Sequence, residues 1–184
     1  MLKRFFTYWL ALWLALCWAW VPTDARAADE DKEYLVKAAF IYNFIKFVEW
    51  PAGKAISKQP NIDICVVGDS KLIKANEVFK AASTPKLSLT LTEEKNWRNA
   101  PSHCHILFIS RSEDEKMGSI LAGLRDQPVL TVSDIDDFAE QGGMIGFVPS
   151  DNKIKIEVNT KSVTAAGMRV DAQLLEIALK VLDK

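Results

Sequence analysis

The 184-residue chain carries 23 basic and 24 acidic residues and 49% hydrophobics, so it is close to neutral and far too apolar to be disordered. Eight Gly and seven Pro exclude collagen-like and low-complexity classes. Residues 1–27 hold Lys3, Arg4 and Arg26 against Asp24, which leaves 20 basic and 23 acidic residues for the remainder. That mildly acidic body lacks the basic footprint of a nucleic-acid binder.

In chain order, Lys3 and Arg4 precede an uncharged run from Phe5 to Val21, and Ala25-Arg26-Ala27 follows as a small-x-small cleavage site. This is the layout of a secretory signal peptide over 1–27, cut after Ala27. An uncut membrane anchor is the competing reading, at the short limit for a span. Cys17 lies mid-run behind Leu16, which does not fit a lipobox, so it is read as a passenger. The mature body is then 28–184, the size of one domain, with no further apolar run of about 18 residues.

Asp29–Trp50 predicts a long helix ended by Pro51. Asn61–Gly68 reads as a strand and Ser70–Ala82 as a helix. Leu87–Leu91 alternates at strand period, and Glu93–Ser102 is a polar loop around Trp97. His105–Ser110 is an apolar strand. Ser112–Asp126 is a helix opened by the capping box Ser112-x-x-Glu115. Val129–Val132 is a short strand, and Ser133-x-x-Asp136 opens a helix that Gly142-Gly143 closes. Met144–Val148 and Lys153–Asn159 are strands around the Ser150-Asp151-Asn152 turn, and Val170–Asp183 is a terminal helix. Strands alternating with helices predict an α/β fold. We expect a single three-layer domain whose mostly parallel sheet ends in an antiparallel hairpin and is flanked by helices.

Two cysteines remain in the body, Cys65 and Cys104. An even count in an exported chain favours a disulfide, and neighbouring strands could bring the two within range; two free buried thiols are the alternative.

Several segments resemble one known family. Lys37 to Pro51 resembles the opening helix of the YfiR family of periplasmic proteins, and Cys104 to Ser110 is similar to its second cysteine strand. Leu130 to Asp134, Phe138, Gly142 to Ile145, Glu157 to Asn159 and Gln173 to Leu175 follow in the family's order. The resemblance pairs Cys65 with Cys104; the family's second cysteine pair is absent here, since 143–153 has no cysteine. It implies a non-enzymatic periplasmic repressor. Such a protein binds the periplasmic sensor domain of an inner-membrane diguanylate cyclase and lowers cyclic di-GMP and biofilm formation. An outer-membrane-anchored lipoprotein relieves the repression.

The residues also speak independently of the resemblance. The first helix is apolar at every angle, which calls for burial on both sides: one against the sheet, the other against a partner, a second copy or a membrane interface. Phe40, Phe44, Phe47 and Trp50 are therefore candidate partner-binding residues, with a homodimer expected; a central core helix is the plainer reading. Lys37, Asn43 and Lys46 argue against total burial. Lys155, Glu157 and Asn159 share the outer face of the last strand, either a solvated surface or a docking face. At the carboxyl ends of the strands, Asp69, Ser110, Arg111, Ser133 and Asp134 are candidates for a small-ligand pocket, against ordinary capping.

An enzyme finds little support. The nucleophile elbow, Walker A, G-x-G-x-x-G and H-E-x-x-H motifs are absent. Ser150-Asp-Asn-Lys153 matches S-x-x-K and S-D-N only by overlap in a turn, without K-T-G. His103 and His105 flank Cys104, but strand alternation sends the two histidines one way and the cysteine the other. No cofactor or metal is expected.

Overall fold

The computed structural model describes residues 24–54, 61–151 and 153–183. The 1–23 part of the leader lies outside them. The chain divides into two units, Met1–Lys32 and Glu33–Lys184. No helix among the described residues is long and apolar enough to cross a membrane.

Helix α1 spans Asp24–Phe47, followed by β1 (Val48–Glu49) and β2 (Asn61–Val67). Then come α2 (Asn76–Ala82), β3 (Ser88–Glu93), α3 (Ala100–His103), β4 (Ile106–Ile109), α4 (Met117–Leu124) and β5 (Leu130–Ser133). The chain ends with β6 (Ile145–Ser150), β7 (Lys153–Asn159), α5 (Thr160–Ala165), β8 (Arg169–Val170), α6 (Ala172–Glu176) and β9 (Lys180–Leu182).

Seven strands form the main sheet in the order β3-β2-β4-β5-β6-β7-β9. All neighbours are parallel except the β6–β7 hairpin. The order reverses between β2 and β4, as in doubly wound sheets. Central strands are apolar on both faces because both are covered. Ile62, Ile64 and Val66 of β2, with Ile106 and Phe108 of β4, pack with Ala38, Ile41 and Phe44 of α1. Cys65, Val67, Leu107 and Ile109 point the other way, onto Met117, Ile120 and Leu124 of α4. The expected three-layer α/β fold, mostly parallel with one antiparallel hairpin, is what the chain forms.

Several elements differ from the sequence reading. The first helix stops at Phe47, three residues before Trp50, because Val48 and Glu49 pair antiparallel with Val170 and Arg169. Arg169 clamps the ladder by donating to Glu49 Oε2 from two nitrogens, at 3.1 and 2.6 Å. The expected terminal helix over Val170–Asp183 is two strands around one short helix. Asp171 caps α6, and β9 runs parallel to β7 from Lys180 to Leu182. Residues 135–142 form turns, not a helix, with Asp137 at φ 56°. The segment after β4 begins as a 3₁₀ helix, Arg111–Lys116, and its cap is Ser110, not Ser112.

Candidate functional site

Cys65 and Cys104 are bonded, with Cα atoms 5.9 Å apart. Both are fully buried beneath the α4 layer. Cys65 sits in β2; Cys104 is the C-cap of α3, two residues before β4. The bond ties the two strands that flank the reversal of strand order.

The four aromatic candidates of the first helix separate by position. Phe44 and Trp50 are core residues at 0% and 7% exposure, so neither offers a surface to a partner in this conformation. Phe40 and Phe47 are half-buried, and Phe40 lies 5.9 Å from Phe147 between ring centroids. The side turned from the sheet presents Leu35 and Val36, exposed at 48% and 43%. One face of the helix, with Ala38, Ile41, Phe44 and Ile45, is therefore core, and Leu35 and Val36 form a small exposed apolar pair.

The strand-end candidates do come together at the carboxyl ends of β2, β4 and β5, where they bond to each other and to α1. Ser110 Oγ donates to the Asp69 carbonyl, and Asp69 N–H donates to Ser112 Oγ at 2.8 Å. Ser133 Oγ donates to the Ile109 carbonyl at 2.6 Å and accepts from Ile135 N–H at 3.0 Å. Arg111 donates to the Asp134 carbonyl and to Asp136 Oδ1, the latter at 3.0 Å. Asp134 receives Lys37 Nζ at 2.6 Å and the Tyr34 hydroxyl at 3.1 Å, both on Oδ2. Burial and the neighbouring Asp134 charge raise the Tyr34 hydroxyl pKa. The sequence reading took Lys37 as a mark of incomplete burial. It is only 2% exposed, and its partner is one of the proposed pocket residues.

On β7 the outer-face candidates split. Lys155 is exposed and Glu157 half-exposed. Asn159 is buried: its Oδ1 accepts Ser162 N–H at 2.9 Å and its Nδ2 donates to the Ala139 carbonyl at 2.8 Å. Asn159 is the cap of α5, an element the sequence reading did not foresee.

His103 corrects the strand-alternation argument. It lies in α3, so one ring nitrogen comes within 4.8 Å of both cysteine sulfurs. Those sulfurs are committed to their bond, and His103 Nε2 lies 3.2 Å from Glu94 Oε2. His105 is buried, its Nδ1 accepting Asp63 N–H at 3.2 Å. Burial, with the Lys54 charge, lowers the His105 pKa below its ordinary value. Ser150 and Lys153 pair across the β6–β7 turn as strand neighbours, with no catalytic arrangement about them among the described residues.

Residues 34–179 match the model of the family described as YfiR/HmsC-like. Among solved structures the chain is similar to an ABC domain in complex with L-Trp from Streptococcus pneumoniae, with TM-score 0.52 and 10% identity over 66% of this chain and 55% of that one. It is also similar to a conserved domain protein from Vibrio cholerae O1 biovar El Tor, with TM-score 0.54 and 8% identity over 80% of this chain and 60% of that one. The chain thus spans little more than half the length of these two structures, and at such identity the likeness concerns the fold alone.

Proposed function

Because the chain belongs to the YfiR/HmsC-like family, we propose that it is a non-enzymatic periplasmic regulator. It binds and represses the periplasmic sensor domain of an inner-membrane diguanylate cyclase, lowering cyclic di-GMP signalling and biofilm formation. The observation that carries this reading is the family match, which runs from the first helix to the residue before β9. A buried disulfide in a small domain suits an exported protein, and the leader pattern over 1–27 supplies the route.

Repression requires only that the protein bind one conformation of the sensor better than the other. The exposed Lys155 and half-exposed Glu157 on β7, with Leu35 and Val36 on α1, are the surfaces for that contact. A charged face of this kind sets specificity and association rate more than affinity. An outer-membrane lipoprotein that relieves the repression and a homodimeric state belong to the same proposal.

The test is in-cell crosslinking of the tagged protein followed by mass spectrometry. Recovery of a membrane diguanylate cyclase, abolished by Glu157→Arg at unchanged melting temperature, is the expected result. Capture of no membrane protein, or capture indifferent to Glu157→Arg and to a Leu35→Asp/Val36→Asp double change, would sink the proposal.

A further inference from the structure

A cleft of about 480 Å³ opens between α4 and α5, beneath the turn that precedes β6. Its size falls within the usual range for small-molecule sites. It lies at the amino-terminal end of β5, so it is separate from the strand-end cluster around Asp134 and from the outer face of β7.

The polar groups at its base are already used. Thr131 Oγ1 accepts the Met144 N–H at 3.1 Å, and both ends of the Asn159 amide are bonded within the protein. Leu121 and Met144 supply apolar surface beside them. At the seam, Ser162 Oγ donates to the Gly142 carbonyl at 2.9 Å. Such a base makes no demand for a polar ligand body.

The rim is different. Arg125, the C-cap of α4, and Lys161 of α5 both line the cleft. Both are exposed, and neither side chain has a hydrogen-bond or ion-pair partner among the described residues. The acid on the same rim, Glu140, is held by Lys180. The cleft therefore presents two uncommitted cations over a base whose polar atoms are satisfied.

We infer that this cleft binds a small organic anion, a carboxylate or sulfonate head on a compact apolar body. The head lies between the Arg125 guanidinium and the Lys161 ammonium, where charge-assisted hydrogen bonds are the strong ones. The body rests on Leu121 and Met144, the thioether being well suited to an aromatic ring. The inference does not depend on the repressor reading, since it needs no membrane partner.

Phenylacetate is the probe, with phenylacetamide as its uncharged counterpart. Titrated into ¹⁵N-labelled protein, phenylacetate is expected to shift the Leu121, Gly142 and Ser162 amides saturably, with Kd on the order of 1 mM or tighter. Phenylacetamide is expected to bind at least tenfold more weakly, and Arg125→Gln/Lys161→Gln to weaken phenylacetate by a similar factor. Gly118→Leu gives a steric test. Gly118 lines the cleft and a Cβ there meets nothing within 4 Å, so a leucine is expected to occupy the cleft. That variant should abolish the shifts with an unchanged or higher melting temperature. Equal binding of acid and amide, shifts centred on Ser110 and Asp134 instead, phenylacetate binding that survives Gly118→Leu, or no saturable shift would each overturn the assignment.

Discussion

Replacing Lys37 by Met tests whether α1 is pinned to the sheet by a buried charge pair. Lys37 Nζ stands 2.6 Å from Asp134 Oδ2, with the two side chains only 3% and 7% exposed. Glu33 also lies 2.6 Å from Lys37 but is 42% exposed, so solvent screens it. At an effective dielectric of ~20, the attraction at the Asp134 separation is about 6 kcal/mol, and desolvating each ion takes back several. The net worth of the pair is therefore small, but removing one partner is costly. Asp134 would keep the Tyr34 hydroxyl alone on Oδ2, while its buried Oδ1 already has no partner among the described residues. We expect Lys37→Met to cost about 3–5 kcal/mol. In urea unfolding followed by circular dichroism, with a slope of about 2 kcal/mol per molar, the midpoint should fall by about 2 M. Lys37→Met/Asp134→Leu should recover most of that loss, because no charge is then stranded. A Lys37→Met cost below about 1 kcal/mol, or a double variant no more stable than the single, would refute the argument.

Three further outcomes are expected. Cys65→Ala/Cys104→Ala should lower unfolding free energy by up to about 4 kcal/mol on the loop-entropy model for a separation of 39 residues, measured against the oxidised parent. Gly123→Ala should cost about 1–3 kcal/mol and shift the tryptophan emission, because a Cβ there would meet Trp97 Cη2 at 2.4 Å and displace the ring. His105 is held below its ordinary pKa of 6.5, so the unfolded chain takes up a proton first as the solution is acidified. Its contribution is complete above about pH 6.5 and is lost below it, at up to about 1.4 kcal/mol per pH unit. The pH profile of urea midpoints should flatten in His105→Gln, and an unchanged acid limb would contradict this.

The strands of the main sheet were largely readable because their cue is local. Lys153–Asn159 alternates wet and apolar residues, and that span is β7 to the residue. Leu87–Leu91 alternates likewise and became Ser88–Glu93. What escaped was set by distant partners. Leu174, Leu175, Ile177, Ala178 and Val181 have helical spacing, yet the open edge of β7 recruits Lys180–Leu182 as a parallel strand, which no local pattern announces. Leu179 N–H already donates to the Ile156 carbonyl at 2.8 Å before β9 begins. The end of α1 was likewise decided by β8, more than a hundred residues away, and not by Pro51. At the candidate sites, the cysteine pair was legible from its even count in an exported chain and Glu157 from alternation, but Asn159 was not. Its parity puts it on the outer face, whereas the start of α5 covers it. Tyr34 and Lys37 were missed as partners of Asp134 because the signal, a lysine amid apolar residues, carries no information on what it pairs with.

The Cys65–Cys104 bond also has a mechanical consequence. The chain between the cysteines contains α2 and β3, so an outer strand of the main sheet lies inside a covalent loop. A load applied to the two ends of the molecule can straighten everything else but passes through the sulfur bridge there. Full extension of the oxidised protein should fall short of the reduced one by about 130 Å, the contour between two cysteines separated by 39 positions less the 5.9 Å that the bridge spans. Under tension, that segment stays slack until the bridge is cut.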